Sequence, residues 1–353
     1  MLYYIGSSLE LYFGPARLFS SYTVLITIAL FAGFLITKIF LPKFYVFLPH
    51  DRGREFTLNK EISKGKPTGS GSIFITFFVL LSILLAPMNA LQLSMVFLTW
   101  VTMLTGFLDD RSVNSWGEYR KGLLDLIISV SAAFLLYYLL VKKNGSTVWL
   151  PFITKSVKVS GPVYIIVTSI LLWASINSTN CTDGVDGLSS TLVLIALLTL
   201  GLLFYFILGH RDISAYLLLP HLQSGANWAV MTFVMVGVVM GYLWHNAFPS
   251  NCLMGDAGSR ALGYFIGVCV MVSGNPFIIL ATSSIIFING GMGLLKVFLL
   301  RFFKIKIFEN IRFPLHDHMR KNKGWSPTQV LLKFMIIQIL ITCALMGIFL
   351  KVR

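Results

Sequence analysis

Ten apolar runs constrain this chain more than anything else in it: 22–48, 71–87, 91–108, 123–141, 162–176, 188–209, 229–247, 258–273, 276–303 and 329–350. A helix needs about 20 residues to cross the hydrocarbon core of a bilayer, and shorter runs are accommodated by tilt or local thinning. Backbone N–H and C=O groups cannot go unpaired in lipid, so runs of this length are expected to be helices. Charged residues make up 12% of the 353, against about 25% in soluble domains. The expected fold is therefore all-α: a polytopic integral membrane protein of about ten transmembrane helices, read as one domain over 1–353. Gly290-Gly291-Met292-Gly293 interrupts the ninth run. Glycine weakens a helix by roughly 1 kcal/mol relative to Ala, so the ninth helix is expected to be bent or broken, with close packing through small residues as the rival explanation. Met1 to Ser21 does not resemble a cleaved signal. Cys181, Cys252, Cys269 and Cys343 have no metal-site or disulfide spacing, so four free thiols are expected.

Ten crossings put both ends of the chain on one side. The connections after odd-numbered runs then share the other face, and they carry fourteen Lys and Arg against eight on the opposite face. By the positive-inside rule the richer face is cytoplasmic and both termini lie outside. Of fourteen Asp and Glu, only Glu10 and Asp212 fall on the outer face. Orientation does not account for that asymmetry; a polar cytoplasmic site does.

The densest part of such a site is the stretch from Asn177 to Gly187, which includes Asn180, Asp183, Gly184 and Asp186 between two apolar runs. An ionised Asp at the bilayer centre costs about 2.5–3.5 kcal/mol even on the mildest scale, so the stretch belongs at a membrane–water boundary or in a wet cavity. Helix capping would use one or two of the seven Asn, Asp, Ser and Thr residues in this stretch, not all of them. Asp109 and Asp110 close the third run, although acids oppose the macrodipole at a helix C-terminus. Paired carboxylates set against that preference suggest metal or proton-transfer work. Asp256 sits between Gly255 and Ala257 at the head of the eighth run, where it could be an N-cap or stand beside a phosphate approaching backbone N–H groups. Five carboxylates from three junctions, with few histidines nearby, suit Mg²⁺ shared with substrate phosphates. No GxxxxGK[ST] loop is present, which excludes a P-loop ATPase.

Asn177–Gly187, Asp109-Asp110, Met254–Gly263 and Pro314-Leu315-His316-Asp317-His318 through Lys323-Gly324-Trp325 together resemble the polyprenyl-phosphate N-acetylhexosamine-1-phosphate transferase superfamily, in its peptidoglycan branch. The resemblance runs from Phe19-Ser20 to the last helix. It implies transfer of phospho-MurNAc-pentapeptide from UDP-MurNAc-pentapeptide to undecaprenyl phosphate, giving lipid I and UMP with Mg²⁺ as cofactor, in the bacterial cytoplasmic membrane. Carried over by position, it implies catalytic roles for Asp109, Asp110, Asp256 and His316. It implies metal contacts from Asp256 and Asp183. Substrate contacts would come from Lys64, Thr68, Lys121, Asn177, Asn180, Asp183, Gly184, Asp186, Asn246 and His318. Asp109 is the candidate base toward the lipid phosphate, which would attack the sugar-linked phosphorus directly. As Asp109 and Asp110 are adjacent, about 100° apart on a continuing helix, distinct roles are expected.

The chain departs from the family pattern at several positions. Asp317 replaces the central histidine of a three-histidine run, and Val113 stands where many members carry lysine. Leu253 occupies a frequently aromatic position and Lys296 a frequent Gln. The first loop reads Pro-Thr-Gly-Ser-Gly rather than Pro-Thr-Met-Gly-Gly. A UDP-GlcNAc transferase of the same superfamily is the nearest alternative, although Pro-Leu-His-x-His followed by Lys-Gly-Trp favours the peptidoglycan branch. A proton-coupled secondary transporter is the alternative from another class, supported only by the glycine-rich ninth run, because transporter sites lie near the midplane. No nucleic-acid partner is expected. The oligomeric state is left open, with a homodimer among the options.

Overall fold

The computed structural model describes residues 1–10, 12–53, 64–143, 145–153 and 155–351. Arg54 and Lys60, two of the bases counted on the cytoplasmic face, lie outside the described residues. The chain is a helical bundle. Its principal helices are α1 (Tyr22–Phe47, ending in a 3₁₀ turn), α2 (Gly71–Leu85), α3 (Ala90–Arg111), α4 (Glu118–Val141), α5 (Gly161–Thr182), α6 (Leu188–Leu208), α7 (Gly225–Asn246), α8 (Gly255–Val272) and α9 (Ser284–Phe303). The short α10 (Leu315–Lys323) and the long α11 (Pro327–Lys351) complete it. Eight of these are long and apolar enough to cross a membrane, α2 is a shorter apolar helix, and α8 is too polar at its start to count among them. The ten apolar runs thus correspond to α1 through α9 and α11. Thr147–Val148 pairs antiparallel with Val157–Lys158 in a small hairpin between α4 and α5. The cysteines are free thiols, as expected.

The centre of the bundle is α8. All eighteen of its residues are buried, and it packs chiefly on α3 and α5, with α2, α6 and, more narrowly, α4 around the rest. A helix enclosed on every side needs small residues where backbones meet, because lipid supplies no hydrophobic force to drive helices together and packing must do the work. A Cβ on Gly71 of α2 would lie 2.1 Å from the backbone nitrogen of Gly258 in α8. The same device joins α7 to α1, the most extensive helix contact in the fold. There a Cβ on Gly237 would lie 2.5 Å from the carbonyl oxygen of Leu30.

Two sequence expectations change in detail. α5 continues through Asn177 and Asn180 to Thr182, so the loop proper is confined to 183–187. Its hydroxyls and amides face buried protein rather than lipid, which lets the helix carry them. The ninth run is broken at Ser283, which separates a short helix at Ile278–Thr282 from α9, and α9 itself passes through π-helical turns at Phe287–Gly291 and Leu299–Phe303. A Cβ on Gly290 would come within 2.3 Å of the Ser178 carbonyl oxygen. Close packing through small residues and a wide turn therefore coexist there.

Gly237→Ala is expected to lower thermal stability in detergent by about 1–3 kcal/mol, since backbone rather than a flexible side chain blocks the added methyl. Gly347, with nothing within 4 Å of an added Cβ, should accept Ala with a neutral or slightly favourable effect. Equal melting temperatures for both variants and the parent would contradict this account of α1–α7 packing.

Candidate active site

At one end of the bundle the C-terminus of α3 meets the N-terminus of α8. Asp110 Oδ1 accepts from the backbone N–H of Asp256 at 3.0 Å, and Oδ2 accepts from that of Ala257 at 3.0 Å. A carboxylate from one helix thus caps another, satisfying two of its orphan donors and meeting the positive end of its dipole. The turn before the cap requires glycine. Gly255 has φ of +68°, and a Cβ there would lie 2.3 Å from Asp110 Oδ2. The position of Asp110, unfavourable within its own helix, is favourable for α8.

Asp109 points elsewhere, as expected for adjacent residues of a continuing helix. It is 5% exposed; Oδ1 accepts from the Trp116 N–H at 2.6 Å, and Oδ2 pairs with the Lys121 ammonium. Lys121 Nζ also donates to Asp256 Oδ2 at 2.9 Å. The other oxygen of Asp256 accepts from Asn180 Nδ2 at 3.1 Å, and that amide also donates to Ser259 Oγ at 2.9 Å. One ammonium is therefore held between two buried carboxylates drawn from α3 and α8, with α5 supplying the amide that orients the second.

A second part of the site surrounds the loop after α5. Asp186 Oδ2 accepts from the Ser250 N–H at 3.0 Å and lies 4.0 Å from Lys66 Nζ, which donates to Ser250 Oγ at 3.0 Å. Asn246 is wholly engaged in bracing this loop: Oδ1 accepts from the Gly187 N–H at 2.9 Å, and Nδ2 donates to the Cys252 carbonyl at 2.9 Å. The 64–70 segment is laced to 250–254 by backbone bonds, including Leu253 N–H to Pro67 O and Ser70 N–H to Leu253 O. Within it Lys64 is exposed and Thr68 half-buried; it is Lys66, not Lys64, that reaches the acidic loop. Asp183 ends α5, half-exposed.

His316, the buried residue of α10, rests on Gly184. Its backbone N–H donates to Asn289 Oδ1 at 2.8 Å, and its ring Nδ1 lies 3.1 Å from the same oxygen. An amide oxygen can only accept, so Nδ1 carries the proton and Nε2 is left as the acceptor. That Nε2 faces Gly184, where an added Cβ would stand 2.3 Å away. Burial holds the imidazole pKa down at about 4, with Asp317 opposing the shift and Arg320 adding to it. His316 is therefore neutral at pH 7. Asn289 is presented by the π-helical turn of α9, which is what the glycine-rich interruption accomplishes. His318 lies at the rim, Nδ1 accepting from the Arg312 N–H at 3.3 Å. Lys296 donates to the carbonyls of Phe308 and Ile311 at 2.8 and 2.9 Å and so ties down the connection leading to α10.

The structure joins Asp109, Asp110, Lys121, Asn180 and Asp256 in one network and Gly184 with His316 in another. Asp186 and Asn246 belong to the loop brace. Asn177 Nδ2 donates to the Trp173 carbonyl at 2.9 Å and reaches Asp125 at 3.4 Å. The five junction carboxylates do not form one cage: among the described residues, no three His, Cys, Asp or Glu side chains converge as a ready metal site. Sequence reasoning gave no role to Lys66, Asn289, Asp125 or Arg260, although Lys66 and Arg260 lie in stretches it singled out. For Asp125 and Arg260 a signal existed, since charged residues inside apolar runs mark paired or functional groups.

Gly184→Ala should displace the His316 ring and lower turnover by about tenfold or more, the scale of an ångström-sized misplacement. Gly117→Ala, with open space around an added Cβ, should be silent in the same turnover measurement. Because His316 has a folded pKa near 4 against 6.5 for the free side chain, the unfolded chain binds the extra proton as pH falls through that window. Its neutral burial therefore contributes fully above about pH 6.5 and is lost toward pH 4, by up to about 3 kcal/mol. The melting temperature of His316→Gln should show a shallower acid dependence than the parent over this range. Identical slopes would remove His316 as the source.

The profile of Glycosyl transferase family 4 matches residues 92–274, a segment that runs from α3 through α8 and contains the Asp109–Lys121–Asp256 network. The phospho-N-acetylmuramoyl-pentapeptide-transferase of Treponema pallidum (strain Nichols) is 53% identical over 347 residues, covering 98% of this chain and 95% of the relative. The proteins of that name from Campylobacter hominis and Gemmatimonas aurantiaca are 29% identical over 352 residues and 31% identical over 349, covering 96% and 91% of this chain and 97% and 90% of their own lengths. With its capped α8, the ammonium held between Asp109 and Asp256, and this near full-length similarity, the chain belongs to glycosyl transferase family 4.

Proposed function

We propose that this chain transfers phospho-MurNAc-pentapeptide from UDP-MurNAc-pentapeptide to undecaprenyl phosphate, giving lipid I and UMP. The observation that carries the reading is Lys121 clamped between Asp109 and Asp256 at the capped start of α8, in a chain alike over nearly its whole length to transferases of that name. The excess of Lys and Arg on the connections at this end supports a cytoplasmic site, with both termini outside. An acceptor phosphate arriving from the bilayer would meet the ends of α3 and α4 first.

An oxygen of the lipid phosphate attacks the sugar-linked phosphorus directly. The bond from that phosphorus to the bridging oxygen breaks, and the electron pair leaves with UMP. Phosphoryl transfer is governed by positioning and charge stabilisation, so a cationic side chain already held in place is well matched to it. As phosphate oxygens take over the Lys121 ammonium, Asp109 Oδ2 is released and becomes available as a proton acceptor. His316 Nε2, neutral and aimed over Gly184, can accept a hydrogen bond from a substrate hydroxyl or N–H. Lys66 stands beside the 183–187 loop, placed for anionic groups of the nucleotide.

The donor chemistry fits Mg²⁺. Asp256 already holds a cation, in the form of the Lys121 ammonium, through a carboxylate oxygen, and Mg²⁺ takes one or two carboxylates with the remainder from phosphates and water. Asp256 and Asp183 are the residues assigned to hold it. When bound, Mg²⁺ would neutralise the diphosphate oxygens.

Asp256→Asn should abolish UMP release while leaving an extractable, folded protein, and near-parental activity in that variant would sink the assignment. Asp109→Asn separates two roles for that residue. If Asp109 accepts the proton, lost activity should recover in part as pH rises from about 5 toward about 9, because the acceptor phosphate, with a second pKa near 6, then loses that proton to solvent without help. A uniformly low profile would assign Asp109 to holding Lys121 instead.

A further inference from the structure

The Lys121–Asp256 pair has a counterpart one helical turn deeper. Asp125 of α4 and Arg260 of α8 are both essentially buried, at 1% and 2% side-chain exposure. Arg260 Nη2 donates to Asp125 Oδ1 at 2.5 Å and Nε to the same oxygen at 3.1 Å, while Asn177 of α5 reaches Oδ2 at 3.4 Å. Lys121 and Asp125 are four residues apart on α4, and Asp256 and Arg260 four apart on α8, so each pair of positions lies on one helix face. The result is a ladder of two ion pairs with reversed polarity. α4 presents a positive then a negative charge, and α8 a negative then a positive. Every charge has an opposite partner across the helices and an opposite neighbour along its own.

A buried ion pair is weak grounds for stability, because desolvating both charges offsets most of their attraction and an apolar pair of like volume is often as good. What such a pair does supply is register, since a reversed ladder is satisfied at only one axial offset of the two helices. Register matters here: α4 packs mainly on α5 and meets α8 only narrowly, so apolar contacts alone do little to set its height against α8. We propose that Asp125 and Arg260 are positioning residues that set the axial register of α4 against α8 and thereby hold the Lys121 ammonium between Asp109 and Asp256. The consequence for turnover rests on the transfer reaction proposed above; the placement of Lys121 does not.

The test is the double variant Asp125→Leu/Arg260→Leu, which leaves no unpaired charge, beside Arg260→Lys, which keeps the charge but loses the two-nitrogen grip. Two readouts are taken on the intact protein in detergent. One is the rate at which a small amine-acylating reagent labels Lys121, followed by peptide mass spectrometry with Lys43 as internal control. The other is kcat and KM for UMP release. The ladder predicts Lys121 labelling faster by several-fold in the double variant at an unchanged melting temperature, and kcat lower by about 10- to 100-fold with KM for the nucleotide sugar little changed. Parental labelling in a folded double variant overturns the proposal. If the double variant does not fold, Arg260→Lys decides: faster Lys121 labelling supports the ladder, and parental labelling overturns it. Absence of UMP release in the parent protein would count against the assigned reaction alone, because the labelling result does not depend on it.

Discussion

The organisation of this protein depends on how the first turn of α8 is satisfied. A helix beginning inside a membrane bundle exposes N–H groups that neither lipid nor the backbone of a neighbouring helix can pair. Here the donors of Asp256 and Ala257 are met by Asp110, a carboxylate from the end of α3. Hydrogen bonds of this charged kind are worth about 1.5–3 kcal/mol each when buried. The cap ties α3 to α8 at the height where Asp109 and Asp256 grip one ammonium. Two consecutive aspartates thus divide the labour, one capping α8 and the other holding Lys121.

Around that junction each of the buried charges faces an opposite charge, although Arg260 Nη1 is buried without a hydrogen-bond partner among the described residues. Asp109, Lys121 and Asp256 form a near-surface triad, and Asp125 and Arg260 a deeper pair braced by Asn177. Asn180 holds the remaining oxygen of Asp256. Such networks cost heavily when half-satisfied and give one defined arrangement when complete. Precise placement is what a phosphoryl-transfer site requires, since little covalent work falls to the protein and most of the barrier reduction comes from aligned charge.

The ninth helix shows how packing and function are met by the same residues. Gly290 brings α9 against the backbone of α5, and the π-helical turn through it directs Asn289 at His316. That contact fixes the histidine as the neutral tautomer with its acceptor nitrogen over Gly184. The imidazole is thereby specified by residues from three elements that are remote in sequence.

The sequence by itself determined the helical class, the positions of the ten apolar segments and the polar ends where a site must lie, because hydrophobic length and the cost of charge in lipid are local properties of the chain. It also determined that Asp109 and Asp110 must diverge, since helix geometry alone separates adjacent side chains. Only the tertiary structure decided which group each aspartate meets, that Lys66 rather than Lys64 approaches the acidic loop, and that Asn246 braces backbone. Asp125 and Arg260 stood in the sequence as two unexplained charges in separate runs; they became a pair only when α4 and α8 were brought side by side. The physical reason is that a hydrogen bond or ion pair acts over about 3–4 Å, whereas Asp125 and Arg260 are joined across a sequence separation of 135 residues. No spacing rule within one helix reports the height at which two helices meet.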